Sequence, residues 1–100
     1  SMEERVVEML KDAVDCEMAF AQDVLSLGVG GLSAKDMLEY LRYVADRRLE
    51  ALGIAPIFGS KNPFGFMELQ DVQELTNFFE RRVSAYQVAV KGEVAFHDDF

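Results

Sequence analysis

The sequence predicts an all-α fold, in which a helical hairpin is followed by an irregular aromatic loop and a flexible C-terminal tail. Apolar residues recur at steps of three and four through the first half of the chain, which is the period of one face of an α-helix. Gly28 and Gly53 each follow one of these periodic stretches, where a left-handed glycine typically ends a helix. Both prolines come after the second stretch, so the regular pattern stops there.

The first predicted helix covers residues 2–27. Its apolar face is interrupted by Glu17 and otherwise consists of Val6, Leu10, Ala13, Phe20, Val24 and Leu27. Val14, Cys16 and Ala21 widen this face, so we expect Cys16 to be a buried small hydrophobic residue rather than a nucleophile.

The second predicted helix begins after Ser33, whose hydroxyl can cap the amide of Asp36. Arg48 breaks an apolar stripe that consists of Met37, Leu41, Val44 and Leu52, and Gly53 ends the helix. The short connection after Gly28 predicts an antiparallel helical hairpin. The prolines and phenylalanines of residues 54–67 predict an ordered apolar loop that packs back on the helices, and residues 68–83 could be helical by propensity.

Composition limits the class of protein. One hundred residues make one modest domain, and a net charge of −8 disfavours binding to nucleic acid or to anionic membranes. The single cysteine excludes an internal disulfide and indicates a reducing compartment, so we expect a cytoplasmic protein. No secretory signal and no apolar run of membrane-spanning length is visible. Ser1-Met2 is typical of a residue left by cleavage before a start methionine, so we expect a cut-down form of something longer.

The residue types needed for a metal or nucleophilic site are scarce. His97 is the single histidine, and no Glu-x-x-His step is present. The acidic residues of the first helix therefore lack an imidazole partner and are expected to form a solvated face; they are Asp12, Asp15, Glu17 and Asp23. We expect no cofactor and no metal on this chain.

Residues 62–86 carry the most specific pattern in the sequence. They read N-P-F-G-F-M-E, then T-N-F-F-E, then R-V-S-A-Y. This order resembles the C-terminal region of the small (β) subunit of class I ribonucleotide reductase, the ribonucleoside-diphosphate reductase. The resemblance extends upstream through Y-L-R-Y-V-A-D-R-R-L at residues 40–49 and downstream to an acidic tail. It covers nearly the whole chain, which aligns with the last part of a much longer family member.

The resemblance implies a fragment of a ferritin-like helical bundle. It divides the chain into a helical part, residues 1–84, and a flexible tail, residues 85–100, that serves radical relay and docking. It also argues for an irregular segment around residues 76–80, with at most a short helix near residues 69–75. The family's di-iron centre would be held by ligands that precede the aligned region, so this chain would bind no iron.

The resemblance also implies a function. The parent small subunit supplies the radical for reduction of ribonucleoside diphosphates to deoxyribonucleotides, and it forms a homodimer. Tyr86 matches a redox-active tyrosine that passes the radical to the large subunit, and Glu80 matches a glutamate of the same relay. Six residues on a flexible backbone can bring these two side chains together. The fragment alone would be inactive.

The tail forms a second candidate site. Phe96, Asp98, Asp99 and Phe100 combine aromatic and acidic groups, and in the family the last residues bind the large subunit. Phe96 lies closer to the C-terminus than the corresponding phenylalanine of many family members. Which pocket of the large subunit each tail residue would enter is therefore open. Two other interpretations remain: a stand-alone helical interaction module whose C-terminal Asp-Asp-Phe is captured by a partner, and a competitive regulator that binds the large subunit without delivering a radical.

Overall fold

The computed structural model describes residues 1–59 and 65–91, with the backbone alone for residues 87–91. Within these ranges the chain forms three α-helices and no strand: α1 (Met2–Ser26), α2 (Ala34–Ala51) and α3 (Leu69–Lys91). The predicted all-α class is therefore confirmed for the described part of the chain. None of these helices is long and apolar enough to cross a membrane.

The helix ends follow the local chemistry of the sequence. Ser33 caps α2, where its Oγ accepts a hydrogen bond from the backbone N–H of Asp36 at 3.2 Å. Gly28 and Gly53 have φ angles of 85° and 79°, which confirms that left-handed glycines follow α1 and α2. Helix α1 also begins with a capping box, in which Ser1 Oγ accepts the backbone N–H of Glu4 and the Glu4 carboxylate accepts from the amino group of Ser1.

The three helices enclose one apolar core. Lys11 of α1 contacts Glu74 of α3, and further along both helices Asp15 of α1 contacts Arg82 of α3. Helices α1 and α3 therefore run parallel. Helices α1 and α2 pack against each other across the short connection that joins them, which gives the predicted antiparallel hairpin. The largest fully buried side chains are shared among the three helices: Leu10, Val14, Leu41, Leu49, Leu75, Phe79 and Val83.

Helix α3 is longer than expected. The segment around residues 76–80 is helical rather than irregular, and the helix continues through the expected boundary after residue 84 as far as Lys91. The reason is its apolar spacing: Leu75, Phe79, Val83 and Tyr86 recur at steps of three and four and are all buried. Burial of this stripe against α1 and α2 outweighs any local tendency to irregular structure.

The prediction for Cys16 is wrong. Cys16 is exposed, because it lies six residues, about 120° around the helix, from the fully buried Leu10. Phe20 was also expected on the apolar face, but 65% of the residue is exposed.

The described residues of the loop after α2, 54–59 and 65–67, pack on the helices as predicted. Ile57 and Met67 are buried, and the Phe58 ring lies 5.2 Å from the Phe79 ring of α3, measured between centroids. The motif residues Asn62, Pro63 and Phe64 lie outside the described residues.

Candidate functional site: a tyrosine in an apolar cleft

Tyr86 lines an open cleft of about 200 Å³ at the end of the bundle where α1 connects to α2. We call it the Tyr86 cleft. Its walls come from the C-terminal half of α1, the connection, the start of α2 and Tyr86 itself, and they consist of Glu17, Phe20, Ala21, Val24, Gly30, Gly31, Leu32, Met37, Tyr40 and Tyr86. The lining is mainly apolar, and its polar groups are the Glu17 carboxylate and the hydroxyls of Tyr40 and Tyr86.

The Tyr86 side chain is held in the wall of this cleft. Only 2% of the residue is exposed, and it belongs to the hydrophobic core. Its hydroxyl lies against Gly31, in the space that a Cβ atom at that position would need. Among the described residues, none forms a hydrogen bond with this hydroxyl. The sequence predicted Tyr86 at the start of a flexible tail, whereas the structure places it on a helix within the core.

Glu80 does not meet Tyr86 in the structure. Glu80 is exposed, and on a continuous helix six residues separate two side chains by about 9 Å along the axis and about 120° around it. The flexible backbone that was expected to bring them together is absent, because α3 is regular from Leu69 to Lys91. The two candidate relay residues therefore lie on different faces of α3.

A second tyrosine borders the Tyr86 cleft. The hydroxyl of Tyr40 on α2 donates a hydrogen bond to Oε2 of Glu17 on α1 at 2.8 Å. This hydrogen bond, together with partial burial, raises the pKa of Tyr40 above its ordinary value. Glu17 was expected to be solvated, but it joins the two helices at the rim of the cleft. Its position within an apolar stripe was the signal in the sequence that could have indicated a partner.

A buried carboxylate, missed by the sequence analysis, fixes the loop after α2. Asp46 is only 4% exposed, and its Oδ1 accepts the backbone N–H groups of Ile57 and Phe58 at 2.9 and 3.0 Å. Its Oδ2 accepts the N–H of Gly59 at 2.7 Å. Three backbone donors thus satisfy one carboxylate, which holds Phe58 where its ring contacts Phe79. The loop sequence alone gives no sign of this partner.

Ion pairs join α1 and α3 on the outside of the bundle. Lys11 Nζ lies 2.6 Å from a Glu74 oxygen, and Arg82 Nε lies 2.5 Å from Asp15 Oδ1. The side chains of both cations also lie over the Phe78 ring, at 5.6 and 4.3 Å from its centroid. The hydrogen bond to Glu74 raises the pKa of Lys11, and the hydrogen bond to Asp15 raises the pKa of Arg82. Asp15 was expected to be merely solvated, and it forms a cross-helix pair instead.

The metal-binding side chains among the described residues do not fit a di-iron centre. No group of three or more His, Cys, Asp or Glu side chains in the described ranges is placed to hold a metal ion. Asp15 and Glu17 are engaged with Arg82 and Tyr40, and the single histidine, His97, lies outside the described residues. The tail residues Phe96, Asp98, Asp99 and Phe100 also lie outside them.

Comparison with known proteins assigns this sequence to a family. The family described as ribonucleotide reductase, small chain, matches residues 1–63. The protein is 44% identical to a ribonucleoside-diphosphate reductase small chain of Arabidopsis thaliana over 97% of its length, which is 31% of that relative. It is 43% identical to the ribonucleoside-diphosphate reductase subunit beta of Chlamydia pneumoniae over 88% of its length, which is 26% of that relative.

A further relative is the ribonucleoside-diphosphate reductase small subunit of Dictyostelium discoideum, at 38% identity over 91% of the 100 residues and 28% of the relative. The chain therefore belongs to the ribonucleotide reductase small-chain family, and the three helices of its described residues are consistent with a piece of that family's all-α, ferritin-like bundle. It spans about a third or less of the length of these relatives. No solved structure matches it.

Proposed function

We propose that the chain acts as part of a ribonucleoside-diphosphate reductase small subunit, which supplies the radical for reduction of ribonucleoside diphosphates to deoxyribonucleotides. Family membership over nearly the whole sequence supports this role. The parent subunit would carry the di-iron centre on residues outside this chain, form a homodimer, bind the large subunit and work in the cytoplasm. By itself the chain would not generate a radical.

Within that enzyme, Tyr86 relays the radical. The observation that carries this proposal is the placement of the Tyr86 phenol in the wall of an open cleft. A phenol has a pKa of about 10, so its oxidation near neutral pH must be coupled to loss of its proton. The proton acceptor must come within hydrogen-bond distance or one water away. The open side of the cleft leaves room for an acceptor from the large subunit, from the tail or from water.

The Tyr86→Phe substitution tests the relay in a small subunit that carries this sequence. It removes the oxidisable hydroxyl and keeps the ring that packs in the core. We expect turnover to be lost, while the radical content at the metal centre and the affinity for the large subunit stay nearly unchanged. Tyr43→Phe is the matched control, because Tyr43 is 56% exposed and does not line the Tyr86 cleft. Substantial turnover by the Tyr86→Phe protein would remove Tyr86 from the relay.

Glu80 would act in the relay from the surface of α3 rather than as a direct partner of Tyr86. Its exposed carboxylate is available to a group of the large subunit. Glu80→Gln should therefore lower turnover without loosening the helical bundle, since exposed substitutions change stability by about 0.5 kcal/mol or less. Turnover equal to that of the unsubstituted subunit would exclude this role.

The tail would dock the large subunit through Phe96, Asp98, Asp99 and Phe100. Deletion of residues 96–100 should abolish binding, and Phe100→Ala should weaken it by at least about 2 kcal/mol, the scale of an aromatic anchor. A synthetic peptide covering residues 91–100 should compete with the small subunit. If the peptide fails to compete at millimolar concentration, docking lies elsewhere in the sequence.

A further inference from the structure

Two neighbouring glycines in the connection between α1 and α2 have very different surroundings. A Cβ atom built on Gly30 meets nothing within 4 Å. A Cβ atom built on Gly31 collides with the Tyr86 hydroxyl, and it also lies 3.2 Å from Tyr86 Cζ and 3.0 Å from Leu25 Cδ2. The phenol thus occupies space that is free only because residue 31 has no side chain.

The backbone itself does not demand glycine at residue 31. Among the described glycines, the left-handed conformation is confined to Gly28 and Gly53. Alanine at residue 31 would therefore carry no left-handed strain, and its effect would come from contact with Tyr86 and Leu25. The Tyr86 ring is rigid and buried, so it cannot give way by a small rotation at a flexible end.

We propose that Gly31 is a positioning residue for Tyr86: it leaves the space that holds the phenol hydroxyl at the wall of the Tyr86 cleft. This inference rests on the proposed relay role of Tyr86. Relay geometry is demanding, because a misplacement of about 1 Å at a reacting group can lower a rate about 100-fold. Gly31 acts on that geometry through Tyr86 and takes no part in the chemistry itself.

The steric contact is tested first by the folding equilibrium of the 100-residue chain in urea. Gly31→Ala should lower the folding equilibrium constant about tenfold or more, the scale of overpacking a core. Gly30→Ala is the matched control and should change it by less than about threefold. In the Tyr86→Phe background the loss caused by Gly31→Ala should shrink, because the hydroxyl that collides is gone. An equal loss in both backgrounds would overturn the inference.

The position of Tyr86 is tested by nitration of the folded chain with tetranitromethane, followed by peptide mass spectrometry. Tyr43 is the internal standard, since it is already exposed. Global unfolding also raises the ratio of the Tyr86 rate to the Tyr43 rate, because Tyr86 is only 2% exposed in the folded chain. The ratio is therefore compared with that of Val7→Ala, a core substitution at the opposite end of α1 that destabilises the chain and leaves residue 31 unchanged. Gly31→Ala should raise the ratio several-fold above that of Val7→Ala, and Gly30→Ala should not. A ratio for Gly31→Ala no higher than that for Val7→Ala would overturn the inference.

Turnover of a small subunit that carries the substitution separates this inference from the proposed relay. Gly31→Ala should lower kcat about 100-fold and leave radical content and large-subunit affinity intact. If Tyr86→Phe is inactive while Gly31→Ala has full kcat, the positioning role is wrong and the relay stands. If Tyr86→Phe is active, the relay is wrong, and Gly31 then has no relay residue to position.

Discussion

Substitution of Asp46 tests how the loop after α2 is held. In Asp46→Asn, one carboxylate oxygen becomes an NH₂ group, which is a donor. With the amide oxygen at the Oδ1 position, the bonds from Ile57 and Phe58 survive and the NH₂ faces the N–H of Gly59. With the NH₂ group at the Oδ1 position instead, the hydrogen bonds from both Ile57 and Phe58 are lost. We therefore expect the amide oxygen to occupy the Oδ1 position.

The cost follows from the number and kind of bonds changed. One charged hydrogen bond is lost and its donor is left facing another donor, and two charged bonds become neutral ones. A bond to a charged group contributes about 1.5–3 kcal/mol and a neutral bond about 0.5–1.5 kcal/mol. Burial of a neutral amide avoids the desolvation of a carboxylate and recovers part of the loss. We therefore expect Asp46→Asn to lower the free energy of unfolding by about 2 kcal/mol.

The assay is urea unfolding followed by far-ultraviolet circular dichroism. Asp12→Asn is the matched control, because Asp12 is exposed and has no hydrogen bond or ion pair with any described residue. The control should differ from the unsubstituted protein by about 0.5 kcal/mol or less. If Asp46→Asn unfolds at the same urea concentration as the control, the three amides do not depend on the carboxylate and the reasoning is refuted.

Phe79→Ala should destabilise the fold by about 3–5 kcal/mol, because this ring is fully buried and contacts Phe58. The measurement is urea unfolding, and a loss below about 1 kcal/mol would contradict the place of Phe79 in the core. Cys16 should react fully with a thiol reagent in the folded protein, because it is exposed, and reaction only on unfolding would contradict that placement. Lys11→Met should cost about 1 kcal/mol or less at neutral pH, the scale of a partly exposed ion pair. Because Glu74 raises the pKa of Lys11 above 10.5, the contribution of the pair is complete below pH 10.5 and is lost as the pH rises through the folded-state pKa. A stability difference that persists well above that pKa would refute the pairing.

The helical hairpin could be predicted from the sequence because its signals are local. Ser33 and Asp36 are three residues apart, and Gly28 and Gly53 act at the helix ends that they follow. Helix α3 was predicted too short, although its apolar spacing was present in the sequence. Helix α3 is regular because its apolar face is buried against two other helices, and this burial cannot be read from the helix propensity of its residues. Cys16 was misplaced because several apolar residues around α1 made its buried face look wider than it is.

The surroundings of Tyr86 could not be predicted, because they are made by residues distant in sequence. The motif at residues 76–86 singles out Tyr86, but nothing in it indicates Gly31, 55 residues earlier. Asp46 is likewise 11 to 13 residues from the amides that it accepts. Such contacts follow only from the packed arrangement of the helices.

Two contacts hold the face of α3 that carries Tyr86, and they lie at different positions along the helix axis. Phe79 is restrained by Phe58, which Asp46 fixes through the loop, and Tyr86 is restrained by the space at Gly31. Phe79 and Tyr86 are seven residues apart, so they share one face of the helix about 10 Å apart along its axis. A helix held at two points on one face cannot easily rotate about its axis. The position of the Tyr86 hydroxyl in the cleft is therefore set by the bundle as a whole, and Gly31 adjusts it locally.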